Sequence, residues 1–428
     1  MKRWFVPLLL IAGCADIKPP SGPEDRWVQA EAAPADSAPP PGGAREVVAK
    51  MLERVSRVRG LAVKEAVRAK VVSRAEAIAH IQASTERDIP RRVLEGQGEF
   101  LRGLGLIRLD YDYVDGVFAL LQGNIAGFYD QRVKTMFLLS DLRGSSQAET
   151  LAHELVHALQ DQHFDLDLLL DYEPGQADRI TAAHALCEGG AMAAMFEVGM
   201  GRGGDARIGV GQLRMAMLSS VALTEGARTP RVLQVSLVAP YIDGFRFVRA
   251  LKARGGWPAV DAAYARLPRT TEQLLHLDKY DADEPALPVD EPPLPPGSDW
   301  RRLDVDTLGE QALGIVFSEW SSKSLGAAAA AGWGGDRFTI AKRGSSQYAS
   351  AVSLRFDSNE DAAEAEAVLA RVTDGGCRAR EALGPLAYRR DGTSIAVVAG
   401  AFERDGGTGR AVADCGWADR WLEAVLRP

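Results

Sequence analysis

The chain has 428 residues, a formal net charge of −8, and 46% hydrophobic and 25% charged residues. This is ordinary globular composition, long enough for one large or two medium domains. The acidic balance gives no support to nucleic-acid binding, and no apolar run reaches the roughly 20 residues of a membrane-spanning helix.

Residues 1–13 (MKRWFVPLLLIAG) have the form of a secretory leader, with Lys2 and Arg3 as the basic start and Trp4 to Ile11 as the apolar run. Ile11-Ala12-Gly13-Cys14 resembles a bacterial lipobox. That resemblance implies cleavage before Cys14, lipidation of its thiol and anchorage in the cell envelope. With Ala15 in place of Asp, the outer membrane is the expected site in a Gram-negative cell. Residues 14–44, rich in Pro, Ala and Gly, bury too little apolar surface to fold and are expected to form a tether.

Residues 45–284 are expected to form the main domain, in an α+β fold that is mainly helical. The segment 45–90 has helical periodicity, with breaks at Gly60 and at Ser73, where Ser73 and Glu76 form a capping box. Helices continue to residue 122. GNIAGFYDQRVKTMFLLSD (123–141) alternates as two strands around Gln131-Arg132 and is expected to be a hairpin.

The segment SSQAETLAHELVHALQDQHF follows, with HExxH at 153–157. His153 and His157 are four residues apart and share one helix face, so both can turn a nitrogen to one metal ion. Glu154 is rotated about 100° around the axis and is expected to be the general base acting on water at that metal. Apolar neighbours (Ala152, Leu155, Val156, Leu159) imply a buried helix, in which two imidazoles and a carboxylate need partners. A hydrolytic zinc site takes three protein ligands. His163 has the spacing of a third ligand but follows Gln160, where a sharp turn would need Gly. Glu188, in HALCEGGA on a second helix at 177–199, is the stronger candidate, because Gly189, Gly190, Ala191 and Ala193 allow that helix to pack closely on the first. His184, four residues before Glu188, is a supporting residue or a rival ligand. Tyr129, His276 and Tyr280 are candidates to stabilise an oxyanion.

The Pro-rich stretch 285–299 is expected to be a linker or extended strap, and 300–428 a small α+β domain. GWGGD (332–336) is expected to be a tight turn, since it lacks the Lys of a phosphate loop. Cys187 lies in an apolar helix, and Cys377 and Cys415 are candidates for a disulfide in an exported protein.

HELVH with the downstream CEGGA resembles gluzincins, zinc peptidases with a Glu third ligand on a second helix. Met192 stands where many gluzincins place a supporting Asp. The blocks AGFYD, LAHELVHALQDQHFDL, ALCEGGA, TTEQLLHLDKY and AAGWGGDRF look like an uncharacterised group of bacterial and archaeal surface metalloproteins. The expectation is an envelope-anchored zinc peptidase acting on a peptide or protein substrate, with His153, His157 and Glu188 as ligands and Glu154, His276 and Tyr280 as catalytic residues. The alternative is a non-catalytic lipoprotein that keeps such a fold for binding.

Overall fold

The computed structural model describes residues 41–125, 127–141, 144–171, 173–225 and 229–427. The leader, Cys14 and the tether up to residue 40 lie outside the described residues. α1 (Pro41–Arg59) takes in the last residues assigned to the tether and ends at Gly60, whose φ of +77° only glycine adopts easily. β1 (Arg68–Val72) leads into α2 (Arg74–Asp88), which starts with the expected Ser73–Glu76 capping box. β1 corrects the helical reading of 45–90. Ala69 and Lys70 favour helix locally, but parallel pairing with a strand 67 residues downstream overrides that preference. α3 (Arg91–Gly103) and α4 (Tyr113–Asn124) follow.

β2 (Gly127–Asp130) and β3 (Thr135–Leu139) form the expected hairpin. The strand order β1-β3-β2 leaves β2 at an edge. The helical domain continues with α5 (Gly144–Phe164), α6 (Leu166–Leu169), α7 (Ala177–Met200), α8 (Val210–Glu225), α9 (Arg231–Ala265), α10 (Thr271–Leu275) and α11 (Leu277–Asp281). α9 is broken at Gly255 and Gly256.

α7 is the axis of this domain, buried from Ile180 to Val198. It packs against α5 on one side and α9 on the other. The glycines of CEGGA make both contacts, and they divide the work. A Cβ on Gly190 would collide with the Gln160 side chain of α5. A Cβ on Gly189 would collide with the Gly244 backbone of α9, and one on Gly244 with the Ala185 carbonyl. The sequence reading assigned all the small residues to the α5 contact.

The C-terminal domain comprises β4 (Trp300–Asp306), α12 (Gly309–Trp320), α13 (Lys323–Ala330), β5 (Trp333–Arg343), β6 (Gln347–Phe356), α14 (Asn359–Val372), β7 (Cys377–Arg378), β8 (Leu386–Asp391), β9 (Ser394–Asp405), β10 (Thr408–Ala411) and α15 (Cys415–Leu426). Its sheet runs β4-β5-β6-β9-β8-β7, with β10 on β9. GWGGD is not a tight turn: Trp333 to Asp336 open β5. Its glycines admit the Pro-rich strap, and Leu287 N–H donates to Gly334 O (2.7 Å). Prolines leave free carbonyls, which take bonds from Thr339 (to Pro292 O, 2.9 Å), Trp421 (to Pro293 O, 2.9 Å) and Trp417 (to Pro296 O, 3.2 Å).

Cys377 and Cys415 are disulfide-bonded and join β7 to the start of α15, with Cα atoms 6.0 Å apart. Cys187 is a buried free thiol. The two domains pack as one body. Phe100 of α3 and Leu104 just after it belong to the core under the C-terminal sheet, and Ile315 of α12 belongs to the helical core. No helix among the described residues is long and apolar enough to cross a membrane.

Candidate metal centre

The HELVH turn of α5 is held by its apolar side, where Ala152, Leu155, Val156, Ala158 and Leu159 are all buried. That anchoring turns His153 and His157 to one side, with their Nε2 atoms 3.1 Å apart. α7 brings Glu188 to the same point. Its Oε2 lies 3.0 Å from His153 Nε2 and 3.4 Å from His157 Nε2. Ligands about 2.1 Å from a tetrahedral zinc are separated by about 3.3–3.4 Å. The three atoms therefore span a triangle of the size that a zinc ion needs.

Two of the three candidate ligands, His157 and Glu188, are oriented by a neighbour. Gln160 donates its amide to Cys187 O (2.9 Å), which leaves its Oε1 to accept from His157 Nδ1–H (2.8 Å). A neutral His157 that keeps its proton on Nδ1 would present the Nε2 lone pair to a metal. Glu188 is split: Oε2 faces the two imidazoles, and Oε1 accepts from His184 Nε2–H at 2.9 Å. His184 is thus placed behind the carboxylate and outside the triangle of ligand atoms.

The electrostatics favour a cation here. Burial pushes the Glu188 carboxyl up, but the His157 charge and the three imidazole hydrogen bonds outweigh it and hold the group well below the usual carboxylate range. Burial works against His157 as an imidazolium, yet the Glu188 charge lifts it to about 9.

Glu154 faces the hairpin: Tyr129 N–H, on edge strand β2, donates to its Oε2 (2.8 Å). This contact joins Glu154 of α5 to the edge strand of the small sheet.

Other sequence candidates lie elsewhere. α5 continues helical through His163, whose Nε2–H donates to Ala62 O (2.7 Å) on the helix exterior. Tyr280 packs in the core of the helical domain. Its buried hydroxyl donates to Arg266 O (2.8 Å) and its ring packs on Phe247, a structural use. His276 caps α10 and pairs with Glu310 of α12 (2.8 Å), at the junction of the two domains. The Tyr129 hydroxyl donates to Asp161 Oδ2 (2.8 Å), which Lys134 also holds (2.7 Å). None of these side-chain bonds reaches the His153–His157–Glu188 cluster.

Two residues of the site escaped the sequence reading. The Tyr241 ring of α9 lies 6.2 Å from the His153 ring, and no motif marks it. Gln160 was weighed only as a missing glycine, although its i,i+3 offset from His157 was a readable signal. A second acidic group, Glu272, Glu284 and Asp357, already encloses the Lys279 ammonium and needs no metal.

The fold and the site define an α+β protein with a buried two-histidine, one-glutamate cluster between its HExxH helix and a second core helix. Residues 300–413 match a family described as a domain of unknown function (DUF8575). The match covers the C-terminal sheet and stops short of the cluster. No curated protein and no solved structure matches the chain.

Proposed function

We propose that the protein is a zinc-dependent peptidase. The observation that carries this reading is the triangle of His153 Nε2, His157 Nε2 and Glu188 Oε2, with Glu154 one residue along the same helix. Zinc bound there would acidify water and polarise a peptide carbonyl. Glu154 would take the proton of the attacking water and return it to the leaving amine. Tyr129 N–H holds the Glu154 carboxylate towards the edge strand, along which an extended peptide backbone can pair. Gln160 and His184 keep His157 and Glu188 in the ligating orientation. The lipobox reading adds an envelope location through Cys14.

The test is direct. Purified protein should carry about one zinc per chain and cleave unfolded protein substrates, and Glu154→Gln should keep the zinc and lose at least ~100-fold in rate. Unchanged cleavage by that variant overturns the assignment.

One observation favours the non-catalytic reading: Glu154 is only 3% exposed and its carboxylate is already engaged by Tyr129. If zinc binds stoichiometrically while wild type and Glu154→Gln are equally inert, the centre is structural.

A further inference from the structure

An apolar recess lies between the two domains, away from the histidine cluster. Its floor is built by Phe100, Leu121, Leu237, Val316 and Phe338, from α3, α4, α9, α12 and β5; it holds about 160 Å³ and is open to solvent on one side. Its rim carries Gln97, Ser236 and Ala312.

Apolar atoms that line such a recess lose water and gain dispersion contacts when an apolar ligand enters. Water is a poor occupant: it needs two to four polar partners, and most of the polar groups are already in use. The Thr181 hydroxyl donates to Ala177 O, and Asp306 Oδ1 accepts from Ala177 N–H and Thr307 N–H. Gln97 Oε1 accepts weakly from the Tyr113 hydroxyl at 3.4 Å. The Gln97 amide N–H₂ and the Ser236 hydroxyl make no hydrogen bond among the described residues, and both stand at the rim. An apolar cavity of about 150 Å³ is known to stay dry and to take benzene. The stacked Phe100–Phe338 pair, with centroids 4.9 Å apart, adds an aromatic wall.

We propose that this recess is a binding site for a small aromatic molecule: one ring held in the apolar floor, with a single polar substituent at Gln97 and Ser236. Size sets the ring, and the two uncommitted rim groups set the substituent.

Thermal melts of the full chain with phenol or indole test it. The expected result is a saturable rise in midpoint of about 2 °C or more, equal in wild type and Glu188→Ala and absent with glycerol. Ala312→Phe at the rim, or Leu237→Trp in the floor, should abolish the rise. No rise in wild type, or an undiminished rise in both plugged variants, overturns the proposal. If neither variant folds, 19F NMR of 4-fluorophenol with wild type decides: line broadening reversed by indole supports the site, and its absence refutes it.

Discussion

At the scale of the residue, the proposed metal centre depends on side chains outside the triangle of His153, His157 and Glu188. His184 supports the Glu188 oxygen that faces away from the ligand triangle, so it does the orienting work for which the helix offers only Met192 at the opposite offset. His184→Ala is therefore expected to weaken zinc binding about 10–100-fold in chelator competition, with His184→Gln recovering part of the loss. Unchanged affinity in the alanine variant would remove that role. The core of the site was legible: HELVH declares its own geometry, and a carboxylate among small apolar residues declares Glu188. Tyr241 was not legible, because only the crossing of α7 and α9 brings position 241 near position 153. A different residue sets a pH dependence. Burial, with the Asp306 charge beside it, pushes the Asp304 carboxyl from 3.8 up to about 7. Between those values the folded chain binds a proton that the unfolded chain releases, so this group's contribution to stability falls as pH rises from about 4 to 7. Denaturation midpoints across pH 4–8 should show a flatter profile for Asp304→Asn.

At the scale of the element, the α7–α9 crossing decides whether Glu188 arrives at the triangle. The backbones meet where Gly189 faces Gly244 and Gly244 faces the Ala185 carbonyl. Gly244→Ala inserts a methyl where there is no room and is expected to cost at least about 1–3 kcal/mol, with a loss of zinc affinity as α7 is pushed away. Gly211→Ala on α8, where a Cβ meets nothing within 4 Å, should be neutral or slightly stabilising. Urea midpoints and zinc titration of the two variants separate a packing effect from a general intolerance of alanine. Most long helices and the β2–β3 hairpin were readable from periodicity and turn residues. β1, the opening of β5 and β4 were not. β1 and β4 are strands only through distant partners, β3 and β5, and the opening of β5 pairs with the far end of β6, where Trp333 meets Phe356. GWGGD has the composition of a turn, but its glycines make room for the strap at Leu287.

At the scale of the whole molecule, the chain divides near residue 299 in sequence, yet its packing does not divide there. The disulfide Cys377–Cys415 spans 38 residues and lies wholly in the C-terminal domain. Loop-closure entropy for that span is worth about 3–4 kcal/mol. Reduction, or Cys377→Ser, should lower the urea midpoint accordingly while folded protein keeps its zinc. Loss of zinc from reduced but folded protein would show that the sheet reaches the metal centre. The junction has a further consequence. The first turn of α7 is held by the C-terminal domain: Ala177 N–H donates to Asp306 Oδ1 and Asp178 N–H to Thr307 Oγ1. Mechanically, α7 is a beam with one clamped end, and it carries its load, His184 and Glu188, partway along its span. A fragment cut at residue 299 would contain every proposed ligand and still lose the clamp. Metal binding would then be borrowed from a domain that supplies none of the ligands, and any force or partner acting on that domain would be felt along the beam.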